Sequence, residues 1–443
     1  MNLNISLCIK LFTASIVLSQ SLNLLSIPKA DAAGFKFTKI VDGTTPIPGG
    51  TGNFYYLFNP NINGNNIVFA GGSEHNVDLL GVYATTGTNK AITKIADQNT
   101  PIPGGTGKFD YLGQLSVSGS NIAIAGGTYS HDAQSGIYIT KGINGALTKF
   151  ADTNTPIPSG TGNFKWVGYP SISGNNITFV GSDASHKAGI YANTGENRAF
   201  IKIADTNTPV PSGIGNFKWV GYPSISGNNI TFLGDDATSK RGIYANTGEN
   251  GALIKIVDIS TPMPTGIDNS HPIDYPSTGG SNITFVGSDA SGKTGIYANL
   301  GENGALIKIV DTNTPVPDGV GNFDYFSEVR RHGNTVTFVG RFYDANYYQS
   351  GLYIYLDGML SKVISSTDTL FPDKRIIEIY DISRHGFDGE SLAFGTFLSD
   401  ASMAIFRADK ISEPVPEPLT LGGTAVAGVV GFWFKKKKKK VVA

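Results

Sequence analysis

Cysteine is almost missing: the 443 residues contain one, Cys8. It lies in an apolar N-terminal stretch, so neither a disulfide framework nor a cysteine-based metal site can hold the rest of the chain together. Charge is scarce as well. Asp, Glu, Lys and Arg make up 16% of the chain, against about 25% in an average soluble protein. The two signs nearly cancel, 34 Lys and Arg against 35 Asp and Glu, which argues against a nucleic-acid binder. No segment shows an i, i+3, i+4 apolar stripe long enough for a helix pair, and that excludes an α-solenoid. Signatures of catalysis are missing too. There is no G-x-S-x-G, no phosphate-cradling loop opening a helix, no H-x-x-x-H, and no carboxylate pair that sequence can place.

What is present points to short strands and tight turns. Hydrophobic residues reach 40%, enough to bury a core. The 56 glycines are nearly twice the usual share of about 7%. The string Lys39-Ile-Val-Asp42 followed by Thr45-Pro-Ile-Pro48 returns along the chain, with its Asp at positions 42, 97, 152, 205, 258 and 311. Lys362-Val-Ile364 is a degenerate seventh start, and residues 163–179 and 216–232 are identical. Each unit of 53 or 55 residues holds four segments rich in β-branched and aromatic residues, separated by Gly, Asn and Ser turns. In the third unit these are Tyr169–Ser173 (strand a), Asn176–Gly181 (b), Gly189–Asn193 (c) and Ala199–Asp205 (d). Four strands per unit at this period are expected of an all-β protein, a β-propeller; a β-helix is the runner-up, with coils usually shorter than this. Strand b recurs seven times, ending with Leu392–Phe394. The seventh unit lacks its own d strand, while Phe35–Asp42 is a d strand with no unit before it. Pairing the two leaves no open sheet edge. The expectation is a single seven-bladed propeller over residues 34–409, closed by its N-terminal strand.

Both ends read as processing signals. Lys10, an apolar stretch from Leu11 to Leu25 and Ala30-Asp31-Ala32 follow the order of a secretory signal peptide, here residues 1–33. At the other end, Val415-Pro416-Glu417-Pro418 precedes an uncharged run from Leu419 to Phe434 and six lysines, Lys435 to Lys440. This prolyl motif, short apolar helix and basic cluster resemble the PEP-CTERM sorting signal, here residues 410–443. The resemblance implies that Pro416, Glu417 and Pro418 are read by an exosortase-type membrane protease. It also implies delivery to the cell envelope or the extracellular matrix, with transient or lasting anchorage in the inner membrane. Sixteen uncharged residues fall short of the ~20 that span a bilayer comfortably, although flanking lysines extend the reach. The full chain has charge −1; residues 1–33 carry +1 and residues 410–443 carry +5, which leaves −7 for the body between them.

In a four-stranded antiparallel blade the d–a and b–c connections share one face. The repeated loops and hairpins gather Asp152, Asp183, Asp205, Asp236 and Asp311 there. Oxygen ligands on that face raise calcium. An Asp at a strand end more commonly caps the next turn, and no acidic residues recur at i, i+2, i+4, so no cofactor is expected. The six histidines, His75, His131, His186, His271, His332 and His385, fall in different units and suggest no metal centre. Asymmetry is more telling. The sixth b–c connection is extended, from Arg341 to Ser350. Its Tyr343, Asp344, Tyr347 and Tyr348 offer stacking surfaces beside a carboxylate, a candidate sugar-binding loop. Trp166 and Trp219 occupy matching places in units three and four, which suggests packing between blades. The expected function is a non-enzymatic propeller of the cell surface or matrix, with extracellular polysaccharide as a partner. The alternative is a glycan-active hydrolase or lyase on the same scaffold.

Overall fold

The computed structural model describes residues 31–411, apart from 33, 75–80, 88–90, 130–132, 248–250, 262, 265–270, 289–292, 300–304, 345–346, 371–373 and 384. Residues 1–30 of the expected signal peptide, and Pro416, Glu417 and Pro418 with the apolar run behind them, lie outside the described residues, whereas Asp31–Ala32 form a short strand against Phe35–Asp42. Among those described, no helix is long and apolar enough to cross a membrane.

Seven antiparallel sheets follow one another along the chain, as a seven-bladed propeller requires. The third blade consists of Trp166–Ser173, Asn176–Ser182, Ala188–Ala192 and Ile201–Asp205, hydrogen-bonded in that order. Its fourth strand starts two residues later than expected because Glu196–Arg198 form a single 3-10 turn. The second strands, such as Asn176–Ser182, are buried along nearly their whole length. Each such strand is covered on both faces, so its centre reads as an unbroken run of buried residues, as in Ile177-Thr-Phe-Val180, with no exposed residue alternating in.

The seventh sheet holds Ile376–Asp381, Ser391–Leu398 and Met403–Lys410, and Phe35–Asp42 pairs beside Met403–Lys410. The N-terminal strand therefore supplies the missing fourth strand of the last blade. Phe35 is buried in that blade's core with Leu392, Phe394 and Phe406. Val41 packs with Phe54 and Leu57 of the first blade and Ile405 of the last.

The repeated motif is scaffold. In the third unit the Asp152 carboxylate accepts the Asn154 N–H at 3.0 Å and the Thr155 hydroxyl at 2.9 Å, and pairs with Lys149 Nζ at 3.0 Å. The lysine three residues earlier makes the same bridge to Asp42, Asp97, Asp205, Asp258 and Asp311. Burial alone would raise the Asp205 carboxyl, but its bonds to Lys202 and Thr208 outweigh that and hold it below its usual value. In five of the units the loop ends in a phenylalanine that inserts as a plug: Phe54, Phe109, Phe164, Phe217 and Phe323. Phe164 meets Tyr191 edge-on at 4.8 Å, and Phe217 meets Tyr244 at 4.7 Å. Gly189 makes room for that tyrosine, since a Cβ there would come within 2.7 Å of the Tyr191 hydroxyl.

Candidate functional site

The first strand of every blade lines the central channel, and each carries a bulge near its middle. Pairing slips between Phe58 and Asn61, Gly168 and Ser171, Gly221 and Ser224, and Ser327 and Arg330. Bulges bend a strand and re-aim a side chain, and they recur beside binding sites. Aligning the repeat on these bulges gives one ring of seven positions: Asn59, Gln114, Tyr169, Tyr222, Tyr275, Glu328 and Asp381. Asn59, Tyr169, Tyr222 and Glu328 have φ of 51–52°, the left-handed region that a residue with a Cβ enters at a cost of about 1–3 kcal/mol. The side chain of Tyr275 lies outside the described residues.

The ring is chemically lopsided. On one side, Tyr169 and Tyr222 lie 5.4 Å apart between ring centroids, flanked by Trp166 at 5.8 Å from Tyr169 and Trp219 at 6.0 Å from Tyr222. Arg241 stacks over Trp219 at 5.4 Å while its Nε holds Asp235 at 2.9 Å. On the other side the groups are polar. Asp381 Oδ2 accepts the Asn59 N–H at 2.6 Å, and Gln114 Oε1 accepts the Tyr169 N–H at 2.6 Å. These bonds join one blade to the next. Arg330 binds the Glu328 carboxylate and donates through Nε to the Ser383 carbonyl at 2.7 Å. Burial, and then the nearby Glu328 charge, push Asp381 up to about 7, against the pull of the Asn59 N–H and Arg330.

Three cavities share walls along the aromatic side. One of about 530 Å3 opens into the channel between Gln114, Tyr169, Trp219, Tyr222 and Arg330. A second, about 520 Å3, lies between the third and fourth blades against Trp166, His186, Trp219 and Tyr222. The third, about 470 Å3, lies between the second and third blades against Tyr111, Tyr129 and Trp166. Tyr111 and Tyr129 stack there at 5.1 Å. Half-open aromatic rings thus run from the rim of the second blade into the channel mouth. Trp166 and Trp219 do pack between blades, as their repetition suggests, each against a neighbouring core. Their remaining surface faces these cavities.

The four residues singled out in the sixth blade stand elsewhere. The segment is not an irregular loop. Its strands continue outward as a hairpin, with Tyr343 opposite Tyr348 and Asp344 opposite Tyr347. Aromatic residues such as Tyr343, Tyr347 and Tyr348 suit paired strands, and the pairing runs out to Asp344 and Tyr347. Tyr343 is 58% exposed, Tyr347 74% and Tyr348 47%. Tyr343 and Tyr348 touch at 5.1 Å, but none of the four lines the cavities described above. The repeated aspartates are engaged with turn amides, hydroxyls and lysines, and among the described residues no group of three or more His, Asp or Glu is placed to hold a metal ion.

No family model matches this chain, and no curated protein does. Among solved structures, the β-propeller domain of the Trilobed protease from Pyrococcus furiosus, described as having an open velcro topology, is similar at 12% identity and a TM-score of 0.51. That match covers 83% of this chain and 100% of that one. The acylaminoacyl peptidase of Pyrococcus horikoshii matches at 12% identity and a TM-score of 0.48, over 77% of this chain. This chain spans 49% of that peptidase. The GH74 xyloglucanase of Xanthomonas campestris matches at 12% identity and a TM-score of 0.43, covering 81% of this chain and 52% of that one. Likeness at this level of identity shows the β-propeller fold alone.

Proposed function

We propose that this chain is an exported propeller of the cell surface or extracellular matrix that binds polysaccharide without transforming it. The observation that carries the reading is the run of half-open aromatic rings, Tyr111 and Tyr129 through Trp166 and Tyr169 to Tyr222 and Trp219, bordering three adjoining cavities on one face. Pyranose C–H faces pack on such rings. Tyrosine and tryptophan supply that area at small cost in side-chain freedom. The N-terminal signal sequence and the PEP-CTERM resemblance support the address. An exosortase-type protease is the implied processing partner, and the apolar C-terminal run is the implied membrane anchor. Changing Glu417 to Ala should hold the precursor in the inner membrane; normal release into the medium would count against this route.

The test of binding is a glycan array followed by calorimetry. Replacing Trp219 and Tyr222 with Ala should weaken binding at least tenfold. The same loss on replacing Tyr343, Tyr347 and Tyr348, with the Trp219 and Tyr222 variant unaffected, would move the site to the sixth-blade hairpin. A second reading, a glycan hydrolase or lyase, is favoured by one observation: Asp381 at the channel mouth, pushed up to about 7 beside Glu328, has the proton affinity of a general acid. Turnover of a bound polysaccharide that disappears in Asp381→Asn would establish that reading instead.

A further inference from the structure

The opposite end of the channel, on the face of the a–b turns, holds a separate chamber of about 210 Å3. Its wall is another column of the repeat: Ile62, Val117, Ile172, Ile225 and Thr278 in the first five blades, and Arg331 in the sixth; the seventh position of the column is Arg384, which lies outside the described residues. Blade six therefore places a guanidinium where blades one to four carry aliphatic side chains. Arg331 is 6% exposed. Its Nε donates to the Gly333 carbonyl at 2.7 Å, and its backbone N–H to Ser277 Oγ at 3.0 Å. Among the described residues, neither Nη1 nor Nη2 has a hydrogen-bond partner. Burial with nothing to offset it pushes this guanidinium down to about 10. A buried charge with neither counter-charge nor full hydrogen bonding is strongly unfavourable.

The preceding blade clears space for that side chain. The next column of the repeat reads Ser118, Ser173, Ser226 and then Gly279. The serines accept the N–H of Gly174, Gly227 and Gly280 in the following blade at 2.8, 2.9 and 2.9 Å. Gly279 has no hydroxyl with which to continue the series. A Cβ at this position would come within 3.2 Å of Arg331 Cγ and Nε. Arg331 thus adds a charge where four blades are aliphatic, and its neighbour in space, Gly279, removes what would crowd it. The same column continues with His332 and His385, which also line the chamber. Among the described residues of its wall the one carboxylate, Asp388, is already engaged by the N–H groups of Gly64, Glu390 and Ser391.

We propose that this chamber is an anion site, in which the Arg331 guanidinium, whose two unpartnered terminal nitrogens are buried beside the chamber wall, turns to bind a small carboxylate or oxyanion through Nη1 and Nη2. The two terminal nitrogens present parallel N–H donors at the spacing of a carboxylate or phosphate edge. The site opens on the face opposite the aromatic cavities and stands whether or not those bind polysaccharide.

The full chain is titrated with sodium phosphate and with sodium acetate over a sodium chloride baseline, by calorimetry and by thermal unfolding. Saturable binding of either anion, with Tm rising as it is added, is the expected result. Arg331→Met should weaken that binding at least tenfold. Gly279→Ser, which keeps the charge but crowds it, should weaken it several-fold. Absence of saturable binding of both anions to the parent would overturn the proposal, as would an Arg331→Met variant that binds as tightly as the parent. Should Arg331→Met fail to fold, the parent titration and Gly279→Ser decide the matter.

Discussion

Ring closure can be tested at one side chain. Phe35 belongs to the strand that completes the seventh sheet and is buried among Leu392, Phe394 and Phe406. Truncating a buried phenylalanine to alanine costs about 3–5 kcal/mol. That loss falls on a strand held to its sheet only by pairing with Met403–Lys410 and by packing, since no hairpin ties the two together. Opening should therefore become local. Hydrogen exchange followed by mass spectrometry should show Phe35–Asp42 and Met403–Lys410 exchanging roughly a hundredfold faster or more in Phe35→Ala, because about 3 kcal/mol of local opening free energy corresponds to two decades in rate. The strands of the second blade, Tyr111–Ser118 and Asn121–Gly127, should change far less. Unchanged exchange in Met403–Lys410 would refute the argument that this residue holds the ring shut. Deleting residues 31–42 is the harsher form of the experiment. It bares the edge of Met403–Lys410 and should cause concentration-dependent association; a monomer as soluble as the parent would contradict it.

Asp205→Ala removes the acceptor of the Asn207 N–H, the Thr208 hydroxyl and Lys202. With the lysine bond discounted for its exposure, the expected loss is about 2–3 kcal/mol, or roughly 3–4 °C in Tm for a domain of this size; a loss below about 0.5 kcal/mol would show the turn to be self-supporting. Asp42, Asp97, Asp205, Asp258 and Asp311 are all held below their usual value. Their contribution is present above the unfolded carboxylate range near 4 and should fade as pH falls below it, visible as an acid limb in Tm against pH. Asp381 acts in the opposite sense. Raised to about 7, it keeps its proton in the folded state after the unfolded chain has released it, so stability should decline as pH rises from about 4 to about 7. Asp381→Asn should flatten that decline, and an identical slope in the variant would place the titrating group elsewhere.

The architecture was legible because duplication repeats its own punctuation. Lys, Asp and Pro returned at fixed spacing, and a spare d strand at one end matched a missing one at the other. The turn-capping role of the aspartates was legible for a local reason, since an Asp followed by Thr or Asn binds its own chain. The channel was harder. Tyr169, Glu328 and Asp381 look unrelated in sequence, yet they hold one position of the repeat: Tyr169 and Glu328 sit inside a bulge of the first strand, and Asp381 ends its strand one residue past a bulge, paired with Gly395. Both rings stand in the columns of the repeat, including Arg331 after four aliphatic residues and a threonine, with Arg384 following it in the seventh unit. The sixth-blade segment reads as a loop from its length, whereas Tyr343, Tyr347 and Tyr348 lie on two strands that stay paired out to Asp344 and Tyr347.

The N-terminal strand also sets an order of events. Phe35–Asp42 leaves the ribosome first among the propeller strands, yet its partner begins at Met403, 361 residues later. At roughly 5–20 residues per second, that interval lasts tens of seconds in synthesis alone. Throughout it the chain carries an unsatisfied strand with Phe35, Phe37, Ile40 and Val41 on it. Lys36 and Lys39 interrupt those residues and act as gatekeepers against premature pairing with other chains. The ring can shut only after its last blade exists, so shutting it reports that the whole propeller has been made, and a chain cut short anywhere before Met403 keeps an open sheet edge that quality-control proteases can recognise.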